Sequence, residues 1–244
     1  EAMPFELVAR RCKARYVLGL SATVARKDGR HPIIFMQCGP VRYRTNEKVQ
    51  ATARGFAHRV LLRETRFTMP TDASVSKPSM PAIYSAIAHD DHRNALIFDD
   101  VLQALEAGRS PIVLTERRDH LELLRERFSR FSPNCVVLRG GLSVKERAAA
   151  NEVLERSVGK ERLILATGRY LGEGFDDSRL DTLFLTMPFA WRGTLAQYVG
   201  RLHRDHAGKR EVVVYDYVDG DVPVLARMAA KRQVGYRALG YVVG

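Results

Sequence analysis

The sequence predicts an α/β fold in which helices cover both faces of a parallel β-sheet. The second half of the chain contains short runs of consecutive apolar residues, as expected of strands that are buried on both faces. Segments with the apolar spacing of helices separate these runs, and strands that alternate with helices form parallel sheets. The predicted strands cover residues 111–115, 135–139, 162–167, 182–186 and 211–218.

Helix signals lie between these strands. A helix over 93–107 is predicted to end at Gly108, and a charged amphipathic helix follows over 117–131. Ser143 precedes the next helix, with Glu146 three residues later as in a capping box. The final helix begins near Asp221 with a proline in its first turn.

The first third of the chain is less regular. It predicts a short helix over 4–14, a strand over 15–20 and strand material over 32–39, 41–45 and 59–67. Residues 68–91 are rich in proline and serine and show little periodicity, so they are interpreted as a linker. We therefore expect two unequal parts, 1–67 and 92–244.

The composition narrows the class of protein. A formal net charge of +11 over 244 residues favours a polyanionic partner, most simply nucleic acid, although an inert basic surface is the alternative. There is no apolar run of membrane-spanning length and no membrane partner is expected. Three distant cysteines fit a reducing compartment, so we expect a cytoplasmic protein. No metal site is expected, and His89, His92, His203 and His206 are interpreted as solvated.

Residues that follow the predicted strands point to a phosphate-rich ligand. Ligands of parallel α/β sheets bind at the carboxyl ends of the strands. Hydroxyls, arginines and glycines stand there, and glycine lets a phosphate approach the backbone N–H groups. The residues in question are Thr115 after the first strand, Arg139, Gly140 and Gly141 after the second, and Thr167 and Gly168 after the third.

The segment 195–206 predicts an amphipathic helix with an unusual polar face. Leu195, Val199 and Leu202 share one side of the helical wheel. The opposite side carries Gln197, Arg201 and Arg204. A solvated helix face is the simplest interpretation of this segment taken alone.

Three motifs together resemble superfamily 2 helicases and translocases, of the DEAD/DEAH-box type. The segments GLSAT (19–23), ATGRYLGEGFD (166–176) and QYVGRLHR (197–204) are similar to motifs III, V and VI, and PIVLTERRD (111–119) stands where motif IV would be. Motif V precedes motif VI by about 30 residues, as in that superfamily. The pattern is closer to DEAH-like DNA translocases and restriction-subunit helicases than to DEAD-box RNA helicases, which usually begin motif VI with His where this chain has Gln197.

The resemblance implies a RecA-like fold of the P-loop NTPase type and an ATP-dependent enzyme. In that family the second RecA-like domain presents motif VI to ATP that is bound on the first domain. Arg204 would be the arginine finger, Arg201 a second phosphate contact, and Gln197 would position the nucleotide or water. Glu173, Gly174 and Asp176 of motif V would line the nucleotide cleft.

The resemblance also implies a nucleic-acid partner, with DNA favoured over RNA. Ser21 and Thr23 would couple ATP hydrolysis to strand movement. Backbone contacts to the nucleic acid would come from motifs IV and V and the loop between them, which are Thr115, Arg139, Gly140, Gly141, Thr167 and Gly168. Such contacts to phosphates are independent of base sequence.

Two motifs of the family are absent from these 244 residues, which contain neither G-x-x-x-x-G-K-[ST] nor DExH. Our hypothesis is that the chain is a fragment: the tail of a first RecA-like domain (1–67), a linker (68–91) and a complete second domain (92–244). ATP with Mg²⁺ would be held mainly by the missing N-terminal domain, and the fragment alone would be inactive. The unpaired strand near Leu18 could promote self-association. A non-enzymatic nucleic-acid-binding α/β module and an unrelated Rossmann-like enzyme are the alternatives.

Overall fold

The chain folds as two compact units, Glu1–Asn46 and Glu47–Gly244. The computed structural model describes residues 3–21, 29, 32–70, 78–172, 175–190 and 192–244. In the first unit, α1 spans Met3–Arg11 and α2 spans Pro32–Cys38.

Three strand predictions in the first unit are wrong. Residues 41–45 have no regular secondary structure. Residues 15–20 form no strand, and the side chains of Tyr16, Leu18 and Leu20 are exposed. A strand needs a hydrogen-bonded neighbour, and none occurs in the described part of this unit. Residues 32–38 form a helix, because a short apolar run does not by itself distinguish helix from strand and Pro32 suits the first helical position.

The second unit is built on a sheet of seven strands that all pair in parallel, in the order β3-β4-β2-β5-β6-β1-β7. The sheet confirms the predicted α/β fold. The strands are β1 (Ala57–Glu64), β2 (Pro111–Thr115), β3 (Cys135–Leu138), β4 (Leu163–Thr167), β5 (Thr182–Leu185), β6 (Glu211–Val218) and β7 (Val242–Val243).

Helices connect the strands, and their ends follow the sequence signals. The capping box is present, since the Ser143 hydroxyl accepts from the Glu146 N–H at 3.2 Å and the Ser143 N–H donates to Glu146 Oε2 at 2.7 Å. Gly108 follows its helix with φ of 69°, a backbone conformation that favours glycine. The helices are α3 (Glu47–Ala53), α4 (Met80–Ala88), α5 (Asp91–Glu106), α6 (Arg118–Phe128), α7 (Val144–Arg156), α8 (Gly168–Gly172), α9 (Arg192–Gly200) and α10 (Pro223–Ala238).

The two faces of the sheet carry separate apolar cores. Alternate residues of one strand point to opposite faces, so Ile112 and Leu114 enter the first core and Val113 enters the second. Helix α9 packs in the first core through Leu195, whereas α6 contributes to the second core. Burial on both faces explains why these strands appear in the sequence as uninterrupted apolar runs.

The division of the chain differs from the expected one. Strand β1 pairs with β6 along its whole length and buries Val60, so it is part of the large sheet rather than of a preceding part that extends to residue 67. The expected linker contains α4, whose N-cap Ser79 accepts from the Ala82 N–H and whose Ile83 and Ile87 are buried. Serine before a helix and proline in its first turn are capping signals as well as linker signals, so composition alone does not distinguish the two. The assignment of the first residues to another RecA-like domain stays a prediction.

Two buried ion pairs tie β6, and the residue that follows it, to neighbouring helices. Arg232 of α10 donates to both carboxylate oxygens of Asp216, and the two side chains are only 3% and 1% exposed. Arg93 of α5 donates to Asp219 Oδ1 at 2.9 Å. Removing one partner of such a pair leaves a buried charge without compensation.

Strand β7 covers the outer side of β1. The Leu62 N–H donates to the Gly244 carbonyl at 3.1 Å, and the Gly244 N–H donates to the Val60 carbonyl at 3.1 Å. None of the helices in the described ranges is both long and apolar enough to cross a bilayer.

Candidate nucleotide and nucleic-acid interface

The sheet order brings the predicted nucleic-acid-binding residues to one edge. Strands β3, β4 and β2 are neighbours, so the loops at their carboxyl ends adjoin. Thr115 is paired in register with Thr167, and Arg118 Nη2 donates to the Gly140 carbonyl at 3.4 Å. We call this edge, formed by residues 115–118, 139–141 and 167–168, the carboxyl edge.

Some of these side chains already have partners within the protein. Thr115 is buried, and its hydroxyl hydrogen-bonds His120 Nδ1 at 3.0 Å and accepts from the Arg117 N–H. Arg139 forms an ion pair with Glu146 at 3.5 Å, next to the start of α7. The structure therefore gives Thr115 an internal role in holding the loop after β2, and its contact with nucleic acid stays a prediction.

Gly168 lies where there is no room for a side chain. A Cβ atom at this position would stand 1.9 Å from the Tyr198 hydroxyl and 2.3 Å from Glu116 Oε1. The Tyr198 hydroxyl donates to the same Glu116 oxygen at 2.5 Å. Burial and this hydrogen bond raise the pKa of Tyr198. The loop after β2 and the start of α8 thus contact helix α9 directly.

The structure confirms the buried face predicted for the motif VI helix, but the helix is shorter than predicted. Leu195, Val199 and Leu202 are buried in the first core, as expected. The α-helix ends at Gly200, however, and Arg201 begins a 3₁₀ turn over Arg201–His203. Glycine inside an α-helix is destabilising by about 1 kcal/mol, which favours an end at this point.

The two arginines therefore do not project from one straight helix. Arg201 is half-buried in the 3₁₀ turn, and Arg204 has an extended backbone beyond it. Gln197 is exposed on α9. The arginines nevertheless follow a helix that is anchored in the core, which limits their movement.

Arg204 connects motif VI to motif V. Its Nε donates to Asp176 Oδ1 at 3.1 Å, and the two side chains are 58% and 48% exposed. Exposed ion pairs of this kind stabilise a protein by at most about 1 kcal/mol. The guanidinium is thus held at the surface by a bond that a phosphate could replace.

The segment that carries Asp176 is fixed at its far end. Asp177 accepts hydrogen bonds from Arg162 and Arg179. Burial alone would raise the pKa of Asp177, but the hydrogen bonds from both arginines outweigh it and lower the pKa to about 2. Beside this segment an open groove of about 670 Å³ runs along α7, lined among others by Arg147, Tyr170 and Phe175.

Several predicted residues are not brought into this arrangement. Thr23, Glu173 and Gly174 lie outside the described residues. Ser21 is described in the first unit, where its side chain is exposed. Their predicted roles in coupling and in the nucleotide cleft stay predictions.

A cluster of aromatic rings and histidines next to the 3₁₀ turn was not predicted from the sequence. His58 packs against His203 with ring centroids 5.1 Å apart, and His203 Nε2 lies 2.8 Å from the Tyr241 hydroxyl. Burial, with the nearby charge of Arg54, lowers the pKa of His58 to about 4 and that of His203 to about 3. The prediction of a solvated His203 was wrong, and the aromatic residue Tyr241, far along the chain, gives no local signal of this packing.

Comparisons with known proteins agree with the motifs. No protein-family model matches the chain. The chain is 23% identical over 233 residues to the putative ATP-dependent RNA helicase L396 of Acanthamoeba polyphaga mimivirus, covering 95% of this chain and 43% of that protein. It is 32% identical over 143 residues to the DNA 3'-5' helicase XPB of Kineococcus radiotolerans, covering 55% of this chain and 23% of that protein.

The fold is also shared with a solved structure. Dbp5 of S. cerevisiae, bound to RNA and ADP BeF3, is similar with a TM-score of 0.58 at 15% identity, over 91% of this chain and 50% of that chain. The chain spans less than half the length of the mimivirus and Kineococcus helicases that it matches. The helicase relatives and the all-parallel sheet agree with the resemblance that the motifs indicated: this chain is similar in sequence to helicases and has a RecA-like α/β fold.

Proposed function

We propose that this chain is the C-terminal RecA-like domain of an ATP-dependent helicase or translocase, and that Arg204 is its arginine finger. The observation that carries the proposal is the placement of Arg204 directly after the 3₁₀ turn that follows the core-anchored helix α9. Its guanidinium is exposed and, among the described side chains, hydrogen-bonds only the exposed carboxylate of Asp176. Arg201 and Gln197 would assist it at the terminal phosphates.

The chemistry of phosphoryl transfer supports this role. The reaction needs positive charge where negative charge develops on the transferred phosphoryl group. A guanidinium binds phosphate oxygens in a bidentate manner, which an exposed carboxylate partner does not prevent. Asp176 would hold Arg204 in place until a nucleotide arrives.

The nucleotide itself would be ATP with Mg²⁺, held mainly by a partner RecA-like domain. The 244 residues contain no phosphate-binding G-x-x-x-x-G-K-[ST] loop and no DExH motif that could hold the metal. The proposed role of this chain is therefore to complete a site on the partner domain, and we expect no ATP hydrolysis by the chain alone.

The nucleic acid would bind along the carboxyl edge, with DNA favoured over RNA. A net charge of +11 supports a polyanionic ligand. The segments that follow three adjacent strands meet at this edge, and two of these segments contain glycine. Contacts of this kind would bind the phosphate backbone without reading the bases.

The decisive experiment replaces Arg204 in the full natural protein that carries this chain. In Arg204→Ala, ATP hydrolysis stimulated by single-stranded DNA should fall about 10³-fold, the size expected for an arginine finger. The dissociation constant for DNA should stay within about threefold, because Arg204 lies outside the carboxyl edge.

Arg130→Ala is the matched control. Arg130 is exposed and follows α6, which packs on the other face of the sheet from α9. Its replacement should change neither quantity. Full hydrolysis by Arg204→Ala would contradict the proposed finger. Hydrolysis by the 244-residue chain alone would contradict the division of the site between two domains. DNA binding without any ATP hydrolysis by the natural protein would favour a non-enzymatic binding module.

A further inference from the structure

We infer that Tyr198 is a positioning residue for α9, the helix that precedes Arg201 and Arg204. Through its hydrogen bond to Glu116, the stability of α9 depends on whether nucleic acid is bound at the carboxyl edge. The inference rests on the proposed nucleic-acid binding at that edge. It concerns a residue whose hydroxyl touches neither of the proposed ligands.

Tyr198 lies where α9, the loop after β2 and the start of α8 meet. It lies on α9, next to Gln197 and three residues before Arg201. Its side chain is 6% exposed, and its hydroxyl reaches across to Glu116, the residue after β2. The space between them and Gly168 is filled, because a Cβ on Gly168 would overlap both partners.

The inner side of the ring is held as firmly as its hydroxyl. The ring packs edge-on against Phe189 with centroids 5.6 Å apart. The Phe189 carbonyl accepts from Arg232 Nη1 at 2.8 Å, and Arg232 is paired with the buried Asp216. Tyr198 therefore has little freedom of its own, and a change at its hydroxyl must move α9 or break the hydrogen bond.

The acceptor of that hydrogen bond is poorly suited to a phosphate-binding edge. Glu116 is exposed, and its carboxylate lies against Gly168, where the nucleic-acid backbone is proposed to pass. A phosphate that arrives there carries the same sign of charge and repels the carboxylate. When Glu116 withdraws, the Tyr198 hydroxyl loses its acceptor, and α9 is released from the edge. Binding of nucleic acid would thus loosen the helix that leads to Arg201 and Arg204.

Amide hydrogen exchange of α9 tests this inference on the chain as it is. Binding of a single-stranded DNA oligonucleotide is first measured by fluorescence anisotropy. At saturating DNA, the amides of α9 should exchange about tenfold faster than without DNA, which corresponds to the loss of one hydrogen bond to a carboxylate.

Three variants test whether the hydrogen bond between Tyr198 and Glu116 couples DNA binding to α9 or only stabilises α9. Tyr198→Phe and Glu116→Ala should show the fast exchange already without DNA and no further change with it. Glu116→Gln keeps an acceptor but removes the charge, so α9 should exchange slowly with and without DNA. The dissociation constant for DNA should stay within about threefold in Tyr198→Phe, because only an internal hydroxyl is lost.

Tyr217→Phe is the matched control. The Tyr217 hydroxyl also donates to a carboxylate, Asp100 Oδ2 at 3.0 Å, but its ring packs in the second core, away from α9. This variant should respond to DNA like the unmodified chain. A loss of the response in Tyr217→Phe would show that general loosening explains the effect, and would overturn the inference.

The outcomes distinguish this inference from the proposed function. If the unmodified chain binds DNA but α9 exchange does not change, or if Tyr198→Phe responds normally, the inference is wrong and the proposed binding stands. If the unmodified chain binds no DNA, the proposed nucleic-acid role fails, and the inference fails with it.

Discussion

Replacing Gly168 by alanine should destabilise the second unit. The added methyl group would stand 1.9 Å from the Tyr198 hydroxyl, 2.3 Å from Glu116 Oε1 and 2.7 Å from Tyr198 Cζ. Overpacking of this kind typically costs about 1–3 kcal/mol. Separating Tyr198 from Glu116 adds the loss of a hydrogen bond to a charged group, about 1.5–3 kcal/mol. Alanine regains up to about 1 kcal/mol of helix propensity, so the net loss should be about 1.5–5 kcal/mol.

The measurement is the free energy of unfolding from urea titrations of the purified chain. Gly200→Ala is the control, because this glycine ends α9 and an added methyl group would have no neighbour within 4 Å among the described residues, apart from the adjoining backbone of its own helix. A change between about −0.5 and +1 kcal/mol is therefore expected. The double variant Gly168→Ala with Tyr198→Phe should recover part of the loss, since the hydroxyl clash is removed while the ring carbon remains close. If Gly168→Ala is as stable as Gly200→Ala, the close contact between the three segments does not exist.

Three other perturbations have equally direct readouts. Asp216→Asn should lower the free energy of unfolding, measured in urea, by about 3–5 kcal/mol, because the buried charge of Arg232 would lose its carboxylate partner. Replacing both residues by apolar ones should lower the free energy of unfolding less. Acidification should destabilise the chain: the pKa values of His58 and His203 are lowered to about 4 and about 3, so the unfolded chain binds protons first as pH falls below about 6.5. Urea titrations between about pH 7 and 5 should therefore show the free energy of unfolding falling by up to about 1.4 kcal/mol per pH unit for each histidine. His58→Phe removes one of the two titrating groups, so it should reduce this pH dependence by up to about 1.4 kcal/mol per pH unit. Ser143→Ala should cost about 1 kcal/mol by thermal or urea unfolding, whereas an unchanged stability would mean that the capping box contributes nothing.

The strands of the second unit could be predicted because strands that are buried on both faces consist of consecutive apolar residues. Runs such as 111–115 and 162–167 are apolar without interruption, since both faces of the sheet are covered. The capping box at Ser143 depends on residues three apart, and it was equally visible. Both features depend on residues that are close in the sequence, which is why the sequence was sufficient to predict them.

Features that depend on distant neighbours could not be predicted in this way. The pairing of β1 with β6 joins residues about 150 apart, so nothing near residues 57–64 showed which unit they join. Tyr198 and Glu116 are likewise distant in the chain, and their contact appears only once the sheet order is known. The end of α9 at Gly200 was only partly visible, because glycine disfavours a helix interior but the apolar spacing continues beyond it to Leu202.

The pairing of β7 with β1 has a practical consequence for handling this protein. Two backbone hydrogen bonds at Gly244 and the short β7 shield the rim of the sheet. Trimming these last residues, or forcing them apart with a bulky fusion, would uncover a row of unpaired amides and carbonyls that invites a second molecule to add its own strand. Soluble expression should therefore be sought with purification tags that leave this short strand intact.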